Sequence, residues 1–188
     1  MSFESALGRL LRPVRAGESH LAWKDSRLAA PRAFALASPA FEDGGMMPKR
    51  SAGSGIGDNL SPPLDWTGVP GDAAELALIV QDPDAPLPRP VTHLIAYGID
   101  PVAGGVEEGA LAAGGTGAIQ LGRGSFRRVG YQGPRPVAGH GAHRYIFQMF
   151  ALPRLLHFDS PPDLATVVAA MARAVLARGQ LTGRYERP

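Results

Sequence analysis

Glycine and proline interrupt this chain so often that long regular elements are excluded over most of its length. The sequence holds 24 glycines and 18 prolines among 188 residues, close to twice their usual share. They fall between apolar runs and show no fixed period. That is the pattern of many turns joining short strands, not of collagen or low-complexity sequence. Apolar residues at 45% and charged residues at 19% fit a globular chain and not a disordered one. The length suits one domain large enough to bury a real core.

Several function classes drop out on composition. The net charge is only +2 and the arginines are scattered, so the stripe or cluster that nucleic acid would require is missing. There is no cysteine, which excludes disulfides, thiolate metal sites and thiol catalysis. No secretory signal is evident at the N-terminus. No apolar run approaches the roughly 20 residues that span a bilayer. A cytoplasmic location is the default expectation.

Two parts differ in pattern. Residues 1–32 form a candidate helical arm, with Phe3, Leu7, Leu10, Leu11 and Val14 at helical spacing, Ser2 as a possible cap and Pro13 as the stop. Arg9, Arg12 and Arg15 crowd its other side. Such a helix can lie on a membrane or a partner, but the plainer reading is an arm packed on its own domain or across a dimer. Residues 33–188 form a candidate mainly β domain. Leu76 to Val80 is a continuous apolar run, as in a strand covered on both faces. Val91 to Ile99 alternates, which places Val91, His93, Ile95, Tyr97 and Ile99 on one face. His143 to Leu152 is a third strand, with His143, Tyr145, Phe147, Met149 and Ala151 together. Gly104 to Gly124 reads as a long surface loop. A C-terminal helix is expected from a Ser160 cap and Pro161, through Leu164, Val167, Val168, Met171, Val175 and Leu176, to a stop at Gly179. Leu181 to Tyr185 could return as a short edge strand.

Chemistry concentrates in two stretches. In Gln81-Asp82-Pro83-Asp84-Ala85-Pro86 an apolar strand delivers Asp82, and the prolines stiffen the backbone on both sides of Asp84. Asp-Pro pairs are also ordinary turn formers, so pocket and turn readings both stand. In the second stretch, Gly133-Pro134-Arg135-Pro136 must be a loop, and it leads to His143-Arg144-Tyr145. His143 and Tyr145 share a strand face and can both donate to an anion, or can form a buried hydrogen-bonded pair. His93 on an apolar face needs a polar reason to be there. His140 and His143 lie in a loop-to-strand region that does not present two metal ligands. Gly53-x-Gly55-x-Gly57 lacks the rest of a phosphate loop, and no serine nucleophile elbow is present.

These residues, in this order, resemble the phosphatidylethanolamine-binding protein family, and within it the bacterial Raf-kinase-inhibitor-like branch. The matching segments are Ser61-Pro62-Pro63-Leu64-x-Trp66, the run Ala77 to Pro86, His93, Gly133-Pro134-x-Pro136, His143-Arg144-Tyr145, and Leu176-Ala177-x-Gly179-x-Leu181-x-Gly183-x-Tyr185. The likeness runs from about Phe34 to the end. It implies a β-sandwich-like domain: a large central antiparallel sheet, a smaller flanking sheet, and helix on the other side. It further implies a pocket for phosphate, phosphoethanolamine or similar anions, lined by Asp82, His93, His143 and Tyr145. A backbone donor at Gly133, walls at Pro86 and Pro134, and a cis Ala85–Pro86 bond would complete it. The candidate ligand-binding set is Asp82, Asp84, Pro86, His93, Gly133, Pro134, His143 and Tyr145. No catalytic residue, metal ligand or cofactor is assigned. Affinity should depend on pH near neutrality through the histidines. Bacterial relatives often carry cysteines near Ala52 and Arg135, which this chain lacks, and residues 1–32 lie outside the likeness.

The leading functional expectation is a binding protein for small anions or phospholipid headgroups. It carries with it a possible kinase or protease partner and an expected homodimer. The alternatives are a weak hydrolase using the His/Asp pocket and a pure interaction module working through the arm. An aspartyl phosphatase is disfavoured because no Lys or acidic pair for magnesium accompanies Asp82-x-Asp84.

Overall fold

The computed structural model describes residues 3–114 and 117–187. A six-stranded sheet forms the centre. Its strands are β1 (Arg32–Ala33), β4 (Glu75–Asp82), β5 (Val91–Ile99), β7 (Gln120–Leu121), β8 (His143–Leu152) and β9 (Ala177–Tyr185), in the spatial order β1-β9-β8-β4-β5-β7. All pairings are antiparallel except the short β1–β9 contact, which is parallel and makes the sheet mixed. A smaller sheet contains β2 (Ala35–Ala37), β3 (Leu64–Thr67) and β6 (Gly105–Val106). Helix α1 (Phe3–Leu11) and helix α2 (Leu164–Met171) are the two α-helices among the described residues.

The continuous apolar run in β4 has the expected cause, because both faces of the large sheet are covered. On one face Leu76, Leu78 and Val80 join Leu94, Phe147, Met149 and Leu181, and pack on Leu36, Leu64 and Trp66 of the smaller sheet. On the other, Ala77 and Ile79 join Ile95, Tyr97 and Phe150 under Val167, Val168 and Met171 of α2. Each fully buried aliphatic or aromatic side chain contributes about 1.5–3 kcal/mol before entropy is counted.

Strand β5 departs from the alternation predicted for it. The ladder pairs Val80 with Leu94 but Gln81 with Thr92, so His93 is an extra residue without a partner on β4. A second irregularity lies where Leu76 pairs with Ile99 and Leu78 with Ala96, at the left-handed Gly98 (φ 69°). Each bulge inverts the inside–outside sequence. Ile95 and Tyr97 therefore face α2, whereas Ile99 joins the opposite cluster and His93 turns toward Tyr145.

The C-terminal helix is shorter than its apolar stripe suggested. Asp163, not Ser160, is the cap, its carboxylate accepting from Thr166 N at 2.9 Å. The helix ends at Met171, and Arg173 adopts a left-handed φ of 61° that reverses the chain. Gly179 is not a helix stop. It lies inside β9, where a Cβ would come within 2.9 Å of the Phe34 ring and carbonyl. The tail is thus a nine-residue strand lying one place in from the edge of the sheet.

Among the described residues of the segment 104–124, Leu111 is fully buried, and β6 and β7 form there, so it is not a plain surface loop. The arm packs on its own domain. Helix α1 presents Gly8 inward, against the Ala138 carbonyl and His140, while Leu7 and Leu10 stay exposed. It ends before Pro13, as that residue demands. Ser2, expected as its cap, lies outside the described residues.

Candidate functional site

The last residue of β4 begins the site. Asp82 is buried, and its Oδ1 accepts from the backbone of Asp84 at 2.7 Å and of Ala85 at 3.1 Å. The turn reading and the pocket reading of this segment therefore both hold: one carboxylate oxygen closes the turn and the other faces the site. No cis peptide occurs among the described residues, so Ala85–Pro86 is trans, contrary to what the family resemblance implied.

From β8, His143 donates through Nδ1 to Asp82 Oδ2 at 2.8 Å. His93 and Tyr145 meet edge to face with ring centroids 5.0 Å apart. His93 Nδ1 donates to the Gln132 carbonyl at 2.6 Å, which leaves Nε2 as its ring nitrogen without a hydrogen bond. Burial holds the His93 pKa below its ordinary value, against the upward pull of the Asp82 charge and the Gln132 carbonyl. The Tyr145 hydroxyl is buried and donates to no acceptor, and the Arg135 backbone N–H beside it pulls its pKa down only weakly against burial. Burial raises the Tyr145 pKa well above the usual phenol value, so the group remains a neutral donor.

These four side chains line one cavity of about 470 Å³, together with Pro86, Gly133, Asn59, Arg128, Arg135 and Phe126. The expected convergence of Asp82, His93, His143 and Tyr145 is present. Three other members of the candidate set sit differently. Asp84 lies outside the cavity, gripped by Arg144 at 2.8 and 2.9 Å and by Arg15 at 3.3 Å. Burial would raise its pKa, but these guanidinium contacts override that and hold it below the ordinary carboxylate range. Pro134 stands behind the wall, its carbonyl accepting from Gly53 N. Gly133 does line the cavity, but its N–H is spent on Asn59 Oδ1 at 2.8 Å and is not free for a ligand. Its lack of a side chain serves packing, since a Cβ would overlap the Ser51 carbonyl oxygen.

Asn59, Gln132 and Arg128 are site residues that the sequence reading did not single out. Asn59 holds a left-handed φ of 56° and braces Tyr131 O and Gly133 N with its amide. An Asn after Asp58, in a glycine-rich stretch, was the available signal. At the mouth, Phe126 is 75% exposed, and it and Arg127 adopt successive left-handed conformations (φ 57° and 59°). For two non-glycine residues that is stored strain at the rim of a pocket. The exposed Arg128 and Arg135 add positive charge there.

The two-layer β domain that carries this Asp/His/His/Tyr cavity has the fold of solved phosphatidylethanolamine-binding protein homologues. Residues 37–186 match the sequence profile of the phosphatidylethanolamine-binding protein family, and the chain belongs to that family. It is 40% identical over 154 residues to a UPF0098 protein of Methanothermobacter thermautotrophicus, covering 81% of this chain and 98% of that protein. Among solved structures it is similar to CT736 of Chlamydia trachomatis, with a TM-score of 0.75, 32% identity, and 84% and 99% of the two chains covered. It is also similar to YbcL of E. coli, with a TM-score of 0.77, 28% identity, and 82% and 99% covered. The bacterial branch is the right part of the family.

Proposed function

We propose that the Asp82–His93–His143–Tyr145 cavity binds a small oxyanion or a phospholipid headgroup, with phosphate and phosphoethanolamine as the simplest ligands. The observation that carries this reading is the Tyr145 hydroxyl, buried at the cavity wall with no acceptor. A buried unsatisfied hydroxyl costs about 1–3 kcal/mol, and a ligand oxygen would remove that cost. His93 Nε2 complements it. As a neutral ring nitrogen it accepts a hydrogen from a phosphate O–H or an ammonium, and once protonated it donates to an anion. Arg128 and Arg135 at the mouth favour the approach of negative charge.

The test is a phosphorus NMR titration with phosphate and phosphoethanolamine on the wild type and on Tyr145→Phe. Ligand shifts that saturate with the wild type and weaken with the variant are expected. Identical titrations for both proteins would remove Tyr145, and with it the carrying observation, from the account.

A further inference from the structure

His143 does not stand alone against Asp82. Its Nε2 lies 2.7 Å from Nδ1 of His140, which is fully buried. His140 in turn reaches through Nε2 to the backbone carbonyls of Leu11 at 2.8 Å and Val14 at 3.2 Å, at the end of the N-terminal helix. Carbonyl oxygens only accept, so His140 Nε2 carries a hydrogen. Asp82 accepts from two backbone N–H groups at its other oxygen, as an ionised carboxylate does, so His143 Nδ1 carries one too. A third hydrogen must lie between the two rings, because two lone pairs would repel at that separation. Two imidazoles with three hydrogens hold one positive charge, placed opposite Asp82. Burial, and then the neighbouring His143, pushes the His140 pKa down.

The arm is fastened to the site at further points. Ala16 N donates to Ala85 O and Gly17 N to Pro83 O, so the arm's backbone runs along the Asp82 turn. Arg15 pairs with Asp84 and donates to Ala142 O. Arg12 donates to Gly139 O. The charged or titratable groups facing His140 are thus His143 from β8 and Arg15 from the arm, with Asp82 one ring further on. The family profile matches residues 37–186, so the arm lies outside the matched residues while His140 lies within them.

We propose that His140 is a positioning residue of the pocket: it sets the orientation and charge of His143 only while the N-terminal arm is docked, so arm docking and anion binding are linked. Linkage is reciprocal, so an anion in the pocket also holds the arm down. The inference deepens the binding role proposed above and rests on it for its ligand.

Two full-length variants test it with inorganic phosphate as the probe. His140→Phe keeps a ring but removes the hydrogen bonds to His143, Leu11 and Val14. Gly8→Ala touches no cavity residue, yet its methyl group would overlap the Ala138 carbonyl oxygen beneath α1 and lift the arm. Each should weaken phosphate roughly tenfold, within the usual range of coupling between sites, and the double variant should lose little more than either single one. In both, the ring nitrogens of His143 should shift in nitrogen-15 NMR, and phosphate should slow amide exchange of residues 5–11 in the wild type only. The proposal is overturned if the His143 ring signals are unchanged in His140→Phe. It is equally overturned if Gly8→Ala frees the helix amides while phosphate affinity and ring signals stay as in the wild type. A wild type that takes no phosphate sinks the binding role, and the coupling is then judged on the His143 signals of Gly8→Ala alone: moved, it stands; unmoved, it falls.

Discussion

Tyr145 and His93 meet edge to face across β8 and β5 because the β4–β5 ladder skips one residue at His93. Without that bulge His93 would point toward α2 with Ile95, and the cavity would lose its free ring nitrogen. Removing the unsatisfied phenol oxygen should therefore separate function from stability. Tyr145→Phe is expected to melt at or slightly above the wild-type temperature in plain buffer, gaining up to about 1 kcal/mol. It should also lose most of the stabilisation that phosphate confers on the wild type. Thermal unfolding with and without phosphate measures both.

Glu75 gives a pH dependence of stability far from the cavity. It is buried at the start of β4; Oε1 accepts from Leu156 N at 3.1 Å and Oε2 has no partner. Burial pushes its pKa from 4.5 up to about 7, against the Leu156 and Gly98 backbone N–H groups. Folding is then unaffected by this group below pH 4.5, where both states are protonated. Between pH 4.5 and about 7 the unfolded chain ionises first, so stability falls as pH rises and levels off above. The loss is at most about 3 kcal/mol. Urea unfolding at pH 5 and pH 8 should show that drop in the wild type and a much smaller one in Glu75→Gln.

Asp84 works in the opposite direction. Its folded pKa is depressed, so its contribution is complete above the ordinary carboxylate range and disappears as pH falls through the lowered value. Because the Arg144 contact is partly open to solvent, Asp84→Asn should cost roughly 2–4 kcal/mol at neutral pH, somewhat less than a fully buried pair. It should also speed amide exchange near Arg15. Equal stability of variant and wild type by urea unfolding at pH 7 would contradict the ion-pair account.

Gly179 and Gly183 point inward from β9 at the places where Phe34, and Phe41 with Met47, close the core. Gly179→Ala meets backbone as well as ring at 2.9 Å, so it should destabilise by about 1–3 kcal/mol through overpacking. Gly183→Ala meets mainly the movable end of Met47 and should cost less. Chemical denaturation of the two variants side by side checks the order.

The local sequence already determined the three long central strands β4, β5 and β8 and which residue types reach the cavity. The apolar run of β4, the alternation of β8 and the polar groups at their ends are short-range patterns, and they place Asp82, His143 and Tyr145 correctly. The tertiary structure alone decided the rest. Whether His93 faces the cavity depends on a cross-strand register that no single-strand period contains. Whether α2 runs on to Val175 depends on β9 pairing with β8 instead. The family resemblance assigns Asp82, His143 and the Gly133 N–H to a ligand, but in the fold Asn59 takes Gly133 N, the Asp84 turn takes Asp82 Oδ1 and His140 takes His143 Nε2. A hydrogen-bonding group's partner is settled by competition among everything the fold brings near, and only the folded chain holds that competition.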